Sequence, residues 1–182
     1  HEFAGVVDGV PYAVEPTHSS VEFAVKHMLI ATTRGRFQDF QVTAEVDESN
    51  FANSSATVRL QAASIDTRQP DRDAHLRSAD FLDAETHPEL TFVTRRIEPK
   101  GSDWRVTGYL TVRGVSREVV LDGEVSGPIT DPWGGTRIGV SLSGKVNRKE
   151  FGMVWNAALD AGGFVLADDV KLAIEVELLK QA

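Results

Sequence analysis

Apart from His1, four histidines are the side chains of this sequence best suited to acid–base or metal chemistry near neutral pH: His18, His27, His75 and His87. None falls in an H-E-x-x-H or His-x-His arrangement, the spacings that set two imidazoles on one face of a helix or strand. Cysteine is absent, which excludes disulfides, thiolate metal sites, iron–sulfur clusters and cysteine nucleophiles. No G-x-S-x-G elbow, phosphate-binding loop or dinucleotide fingerprint occurs, and Gly134-Gly135 reads as a turn. One chemistry stays open, a histidine working with a carboxylate as an acid–base pair. Its candidates are His27, His18 and His75, but no serine is set apart as a nucleophile. The sequence is therefore read as having no catalytic residue, no metal and no cofactor. An enzyme acting on a lipid-like substrate and a ligand-free structural module stand as the alternatives.

The 182 residues carry 19 Lys and Arg against 27 Asp and Glu, a formal net charge of −8. Such a surface repels phosphate backbones and anionic headgroups, so no nucleic-acid partner is expected. Nor is stable membrane insertion, since no apolar run approaches the ~20 residues of a membrane span. The opening His1-Glu2-Phe3 reads as a tag remnant, and residues 1–9 as that remnant or a flexible terminus. Residues 10–182 then form one domain. No leader peptide is visible, which places the chain as given in the cytoplasm, or in the periplasm or outside the cell if a signal peptide was removed.

The elements that must position these residues are strands. Val106, Gly108, Leu110 and Val112 share one face, and Arg105, Thr107, Tyr109 and Thr111 the other. The same alternation runs through Ile138, Val140, Leu142, Gly144 and Val146, and through Val170, Leu172, Ile174, Val176 and Leu178. It recurs in Val21, Phe23 and Val25, in Val42, Ala44 and Val46, and in Val58 and Leu60. With residues 10–15, 89–97 and 115–126 this gives about eight or nine strands. Turn signals such as Arg113-Gly114 and Pro99-Lys100-Gly101-Ser102 separate them, so neighbours are antiparallel. The fold class is all-β, an antiparallel barrel of about eight strands with one or two short helices. A helix of two to three turns is predicted over residues 70–83, where Pro70 and the acids Asp71 and Asp73 suit a helix start and Leu76 and Ala79 keep helical spacing. A second helical turn is expected around residues 148–151.

One face of each strand is dry, and glycine stands on two dry faces at Gly108 and Gly144, with Ala44, Ala56 and Ala62 also placed to point inward. Small inward residues open a tunnel through the barrel, or else relieve the bend of a tightly coiled sheet. A tunnel of this kind suits an acyl or isoprenoid chain, each buried CH₂ bringing roughly 0.8 kcal/mol. His27 continues the Val21-Phe23-Val25 face to the point where the apolar run ends, a place for a polar headgroup partner or a satisfied rim histidine.

The stretch Thr17-His18-Ser19-Ser20-Val21-Glu22-Phe23-Ala24-Val25-Lys26-His27-Met28 is followed by Gly35-Arg36-Phe37, Ser64-Ile65-Asp66-Thr67, Arg72-Asp73-Ala74-His75-Leu76 and Asp80-Phe81-Leu82-Asp83. Pro88 and Phe92, Gly108-Tyr109-Leu110-Thr111-Val112-Arg113-Gly114-Val115 and Arg148-Lys149-Glu150-Phe151-Gly152-Met153 complete the series. This ordered set resembles the YceI-like family of bacterial polyisoprenoid-binding proteins, from Tyr12 to the C-terminus. The resemblance implies a lipocalin-like barrel, a homodimer, and a long-chain isoprenoid lipid or quinone held in the pore for transport, storage or sequestration. The residues expected to bind it are His18, Phe23, His27, Phe37, Phe92, Gly108, Leu110, Leu142, Gly144, Phe151 and Trp155. Arg72, Asp73 and Arg148 match family motifs too, and their spacing equally permits Asp73 or Asp66 to pair with Arg72 or Arg148, locking helix and turn onto the barrel. Trp155 and Phe164 lie in a Gly- and Ala-rich loop that gates the mouth or anchors a surface loop.

Overall fold

The computed structural model describes residues 9–28, 30–157 and 166–182. The expected tag remnant, except for residue 9, and Phe164 therefore lie outside the described residues. Six short strands come first: β1 (Val10–Val14), β2 (Ser20–His27), β3 (Ala31–Phe37), β4 (Phe40–Val46), β5 (Ser55–Gln61) and β6 (Ile65–Asp66). After the helix α1 (Pro70–Arg77) come five long ones, β7 (Glu89–Lys100), β8 (Asp103–Val112), β9 (Val115–Thr130), β10 (Thr136–Asn147) and β11 (Leu166–Lys180).

The pairing order closes on itself. β4, β5, β7, β8, β9, β10 and β11 follow one another in one sheet, and β1 bridges β4 to β11. The short strands are halves of three bent ones. β1 and β2 both lie along β11, with Val14 opposite Leu178 and Val21 opposite Ile174. β3 pairs with β2 and β6, while β4 pairs with β1 and β5. Joined this way, eight antiparallel strands run up and down in chain order and close into a barrel, which removes the free sheet edge. The bend between β1 and β2 has a local cause. Pro16 opens a 3₁₀ turn over Pro16–His18, and Glu15 caps it by accepting from the Thr17 backbone N–H at 2.9 Å.

Alternate strand residues face inward, as the dry faces require. The end of the barrel away from α1 is packed solid by Tyr12, Val42, Val46, Ile97, Val106, Ile138, Val176 and Leu178, all buried. There the Tyr12 hydroxyl donates to Glu48 Oε2 at 2.6 Å, and Lys180 Nζ lies 3.3 Å from the same carboxylate. Burial, more than the neighbouring carboxylate, pushes the Tyr12 phenol well above its ordinary value.

The inward glycines do not leave open space. A Cβ on Gly108 would stand 2.6 Å from Phe92 Cζ and 2.5 Å from the Val93 carbonyl oxygen; one on Gly144 would stand 2.7 Å from Leu121 Cδ2. Their room is taken by side chains and backbone carbonyls of neighbouring strands, so these positions let the strands and their large residues pack closely across a coiled sheet.

The helix is shorter than its spacing suggests. Residues 70–77 are helical, capped by the Gln69 side chain on the Arg72 N–H, and the chain leaves the helix at Ser78. Ala79 is thus outside it. The backbone then doubles back, Leu82 N–H donating to Leu76 C=O and Ala84 N–H to Arg77 C=O, which satisfies carbonyls of the last turn without further helix. The second turn forms as a 3₁₀ segment, Arg148–Phe151, ended by Gly152 at φ 82°.

Candidate ligand-binding site

An apolar cavity of about 290 Å³ occupies the half of the barrel nearest α1. Its walls come from the inward faces of the strands: Val21, Phe23 and Val25, Phe37, Val58 and Leu60, Leu90 and Phe92, Leu110 and Val112, Val119 and Leu121, Leu172 and Ile174. None of the packed residues at the far end lines it. The cavity is blind, so the tunnel expected to run through the barrel is closed at one end by a filled core. Along β11 the lining extends from Leu166 to Ile174. At about 3.3 Å per residue and a strand tilt of ~40°, that span is roughly 20 Å deep.

Folded loops cover part of the α1 end. Leu76 from α1 and Phe81 and Leu82 from the return after it line the cavity together with Met153 and Trp155. His75 sits edge-on to the Phe81 and Trp155 rings, with centroids 5.0 and 4.7 Å away, and its Nε2 is 2.9 Å from Asp80 Oδ2. The lock that holds α1 here runs through Thr67. Buried Asp73 accepts from the Thr67 N–H at 2.9 Å and from its hydroxyl at 2.5 Å, while Arg72 Nε donates to Thr67 Oγ1 at 2.7 Å and Nη2 to Thr67 C=O at 2.8 Å. Asp66 is engaged by the Arg68 N–H and by Gln38. For Asp73 this shared threonine stands where a carboxylate–arginine pair was considered, and Asp66 pairs with neither Arg72 nor Arg148 among the described contacts.

Of the residues expected to bind a ligand, Phe23, His27, Phe37, Phe92, Leu110, Phe151 and Trp155 line the cavity. Gly108, Leu142 and Gly144 do not: the glycines are covered by Phe92 and Leu121, and Leu142 is buried in the core. His18 is also elsewhere. It stands on the outer surface at the Pro16–His18 turn, 65% exposed, with Nδ1 2.9 Å from Glu15 Oε1. Of the three histidines considered for acid–base work, His27 and His75 therefore share the cavity and His18 does not. Among the described residues no group of three or more His, Cys, Asp or Glu is placed to hold a metal, and no helix is long and apolar enough to cross a membrane.

Arg148 is the lining residue whose weight the sequence concealed. It is 3% exposed and holds the end of β10 to the start of β11, Nε donating to Ala167 C=O at 2.9 Å and Nη1 to Met153 C=O at 2.6 Å and Trp155 C=O at 2.8 Å. Burial pushes its pKa below the usual arginine value, with Asp168 acting in the opposite sense. Its place in a motif with Phe151 and Gly152 was visible, but a turn arginine and a cavity arginine look the same in sequence.

The YceI-like domain model matches residues 12–178. A UPF0312 protein of Staphylococcus aureus strain USA300 is 34% identical over 167 residues, covering 91% of this chain and 95% of that protein. BcnA of Burkholderia cenocepacia superposes with a TM-score of 0.77 at 25% identity, over 90% of this chain and 98% of BcnA. A polyisoprenoid binding domain from Saccharophagus degradans, implicated in plant cell wall breakdown, superposes with a TM-score of 0.64 over 94% of this chain and 99% of that domain. At 14% identity, that likeness concerns the fold alone.

Proposed function

We propose that this chain, which belongs to the YceI-like domain family, is a binding protein that holds the tail of one long-chain amphiphile in its blind cavity, shielding it from water. The observation that carries the reading is the cavity itself: a wall of aliphatic and aromatic side chains about 20 Å deep, with its few polar groups gathered toward the α1 end. An unfilled apolar cavity costs stability, because its lining loses dispersion contacts, and a hydrocarbon tail restores them. Ten buried methylenes bring roughly 8 kcal/mol before association costs of several kcal/mol are subtracted. That is useful affinity without a polar contact.

An isoprenoid chain is the tail we favour, and carriage or sequestration the role. Methyl branches suit a wall ribbed by Phe23, Phe37, Phe92 and Phe151, and the family likeness points the same way. Organic extraction of the purified protein with mass spectrometry, paired with native mass spectrometry of the intact chain, tests this. A co-purifying amphiphile at one per barrel is expected. Empty extracts from several expression hosts, together with no uptake of added farnesol or geranylgeraniol, would sink the proposal.

A further inference from the structure

The guanidinium of an arginine only 3% exposed is an expensive group to leave incompletely paired, because a buried donor without an acceptor forfeits its hydration for nothing. Arg148 is in this position. Three of its N–H groups reach backbone carbonyls, but Nη2 is buried and has no hydrogen-bond partner among the described residues. All three partners are neutral, and among the described residues no carboxylate pairs with the guanidinium. Asp168, whose charge acts on Arg148, is half exposed and engaged by Lys149 Nζ at 3.2 Å. Arg72, the other arginine of the lining, differs: its Nε and Nη2 are both paired to Thr67, which also binds buried Asp73. Among the described residues, the one carboxylate lining the cavity is Glu22, and it is exposed. An otherwise dry cavity thus carries an excess of positive charge at its α1 end, centred on a cation with a donor to spare.

We infer that Arg148 anchors the head of the bound amphiphile through Nη2, and that this head is an anionic oxygen group, a carboxylate in its simplest form. A carboxylate supplies both what Nη2 lacks, an acceptor, and what the guanidinium lacks, a countercharge. An uncharged ester or alcohol supplies only the first. The tail then lies down the apolar wall toward Val58 and Ile174. This assignment rests on the cavity reading proposed above.

Protein stripped of lipid is titrated with palmitate and with methyl palmitate, which share a tail and differ in head charge. Palmitate binds the wild type at least about tenfold more tightly, the scale of one hydrogen bond to a charged group in a dry site. In Arg148→Gln the preference falls below about threefold. Should that variant fail to fold, having lost its backbone ties, the wild-type comparison still decides. It is supplemented by the side-chain NMR resonances of Arg148, which shift with palmitate and not with the ester. Equal wild-type affinity for both probes, or a preference that survives in folded Arg148→Gln, overturns the head assignment and leaves the cavity reading standing. Binding of neither probe overturns the head assignment, and the cavity reading falls with it only if farnesol and geranylgeraniol are not taken up either.

Discussion

Replacing Gly108 by alanine tests the central packing claim, that the inward glycines are there for their neighbours and not to leave room for a ligand. The new methyl would lie 2.5 Å from the Val93 carbonyl oxygen and 2.6 and 2.9 Å from Phe92 Cζ and Cε1. The ring can yield, but the carbonyl belongs to a strand residue paired with Tyr109, beside the register shift between Thr94 and Arg96. Overpacking of this sort costs about 1–3 kcal/mol. The alanine also narrows the unfolded ensemble, which returns about 0.4–1 kcal/mol. A net loss of about 1–2 kcal/mol remains, worth roughly 2–8 °C in Tm for a domain of this size. Gly139→Ala is the matched control. A Cβ there has Ser126 Cβ at 4.0 Å as its nearest neighbour, so the same entropic gain goes unopposed and stability holds or rises. Urea unfolding followed by tryptophan fluorescence measures both variants. Because Phe92 lines the cavity, the displaced ring also weakens uptake of a long-chain probe by Gly108→Ala alone. A Gly108→Ala protein as stable as wild type, or a control equally destabilised, would refute the close approach on which this reasoning depends.

Filling the cavity separates binding from folding: Leu172→Trp extends a lining side chain into the cavity, so it should abolish amphiphile uptake while shifting Tm by only a few degrees, and retained uptake would argue for a site elsewhere. Asp73→Ala leaves the buried Thr67 N–H and hydroxyl without their acceptor, a loss of about 1–3 kcal/mol read in urea, with faster amide exchange in α1; Asp73→Asn should recover part of it. Hydrogen bonds from Arg105 and Lys100 hold the Asp122 carboxyl far below the usual range, so its stabilising contribution is present above about pH 4, the unfolded value, and is lost as pH falls toward the lowered folded value. Asp122→Asn should therefore flatten the acid limb of stability between about pH 4 and pH 2. An unchanged limb in urea titrations across that window would show the Asp122 pairs to be without effect.

Much of this protein is written locally in its residues. Alternation at period two is a property of each strand alone, so the dry faces through Leu110, Leu142 and Ile174 could be read without neighbours, and short turns such as Arg113-Gly114 required antiparallel pairing. Long one-faced strands had then to close, since an open sheet leaves an unpaired edge. Motif order was enough for the family. Other features were decided only by the folded chain. Whether a strand glycine opens a void is decided by the strand beside it: Phe92 takes the room at Gly108 and Leu121 takes it at Gly144. Which half of the barrel stays hollow is decided by the sum of inward volumes at each level, where Tyr12 and Ile138 fill one end and α1 roofs the other. His18 and His27 stand nine positions apart in one motif, yet the bend at Pro16–His18 leaves the first on the surface and the second at the cavity. Arg148 marks the same boundary. Its sequence identifies a turn, but its burial, its three carbonyl partners and its spare donor arise only when β10, β11 and the segment through Trp155 close around it.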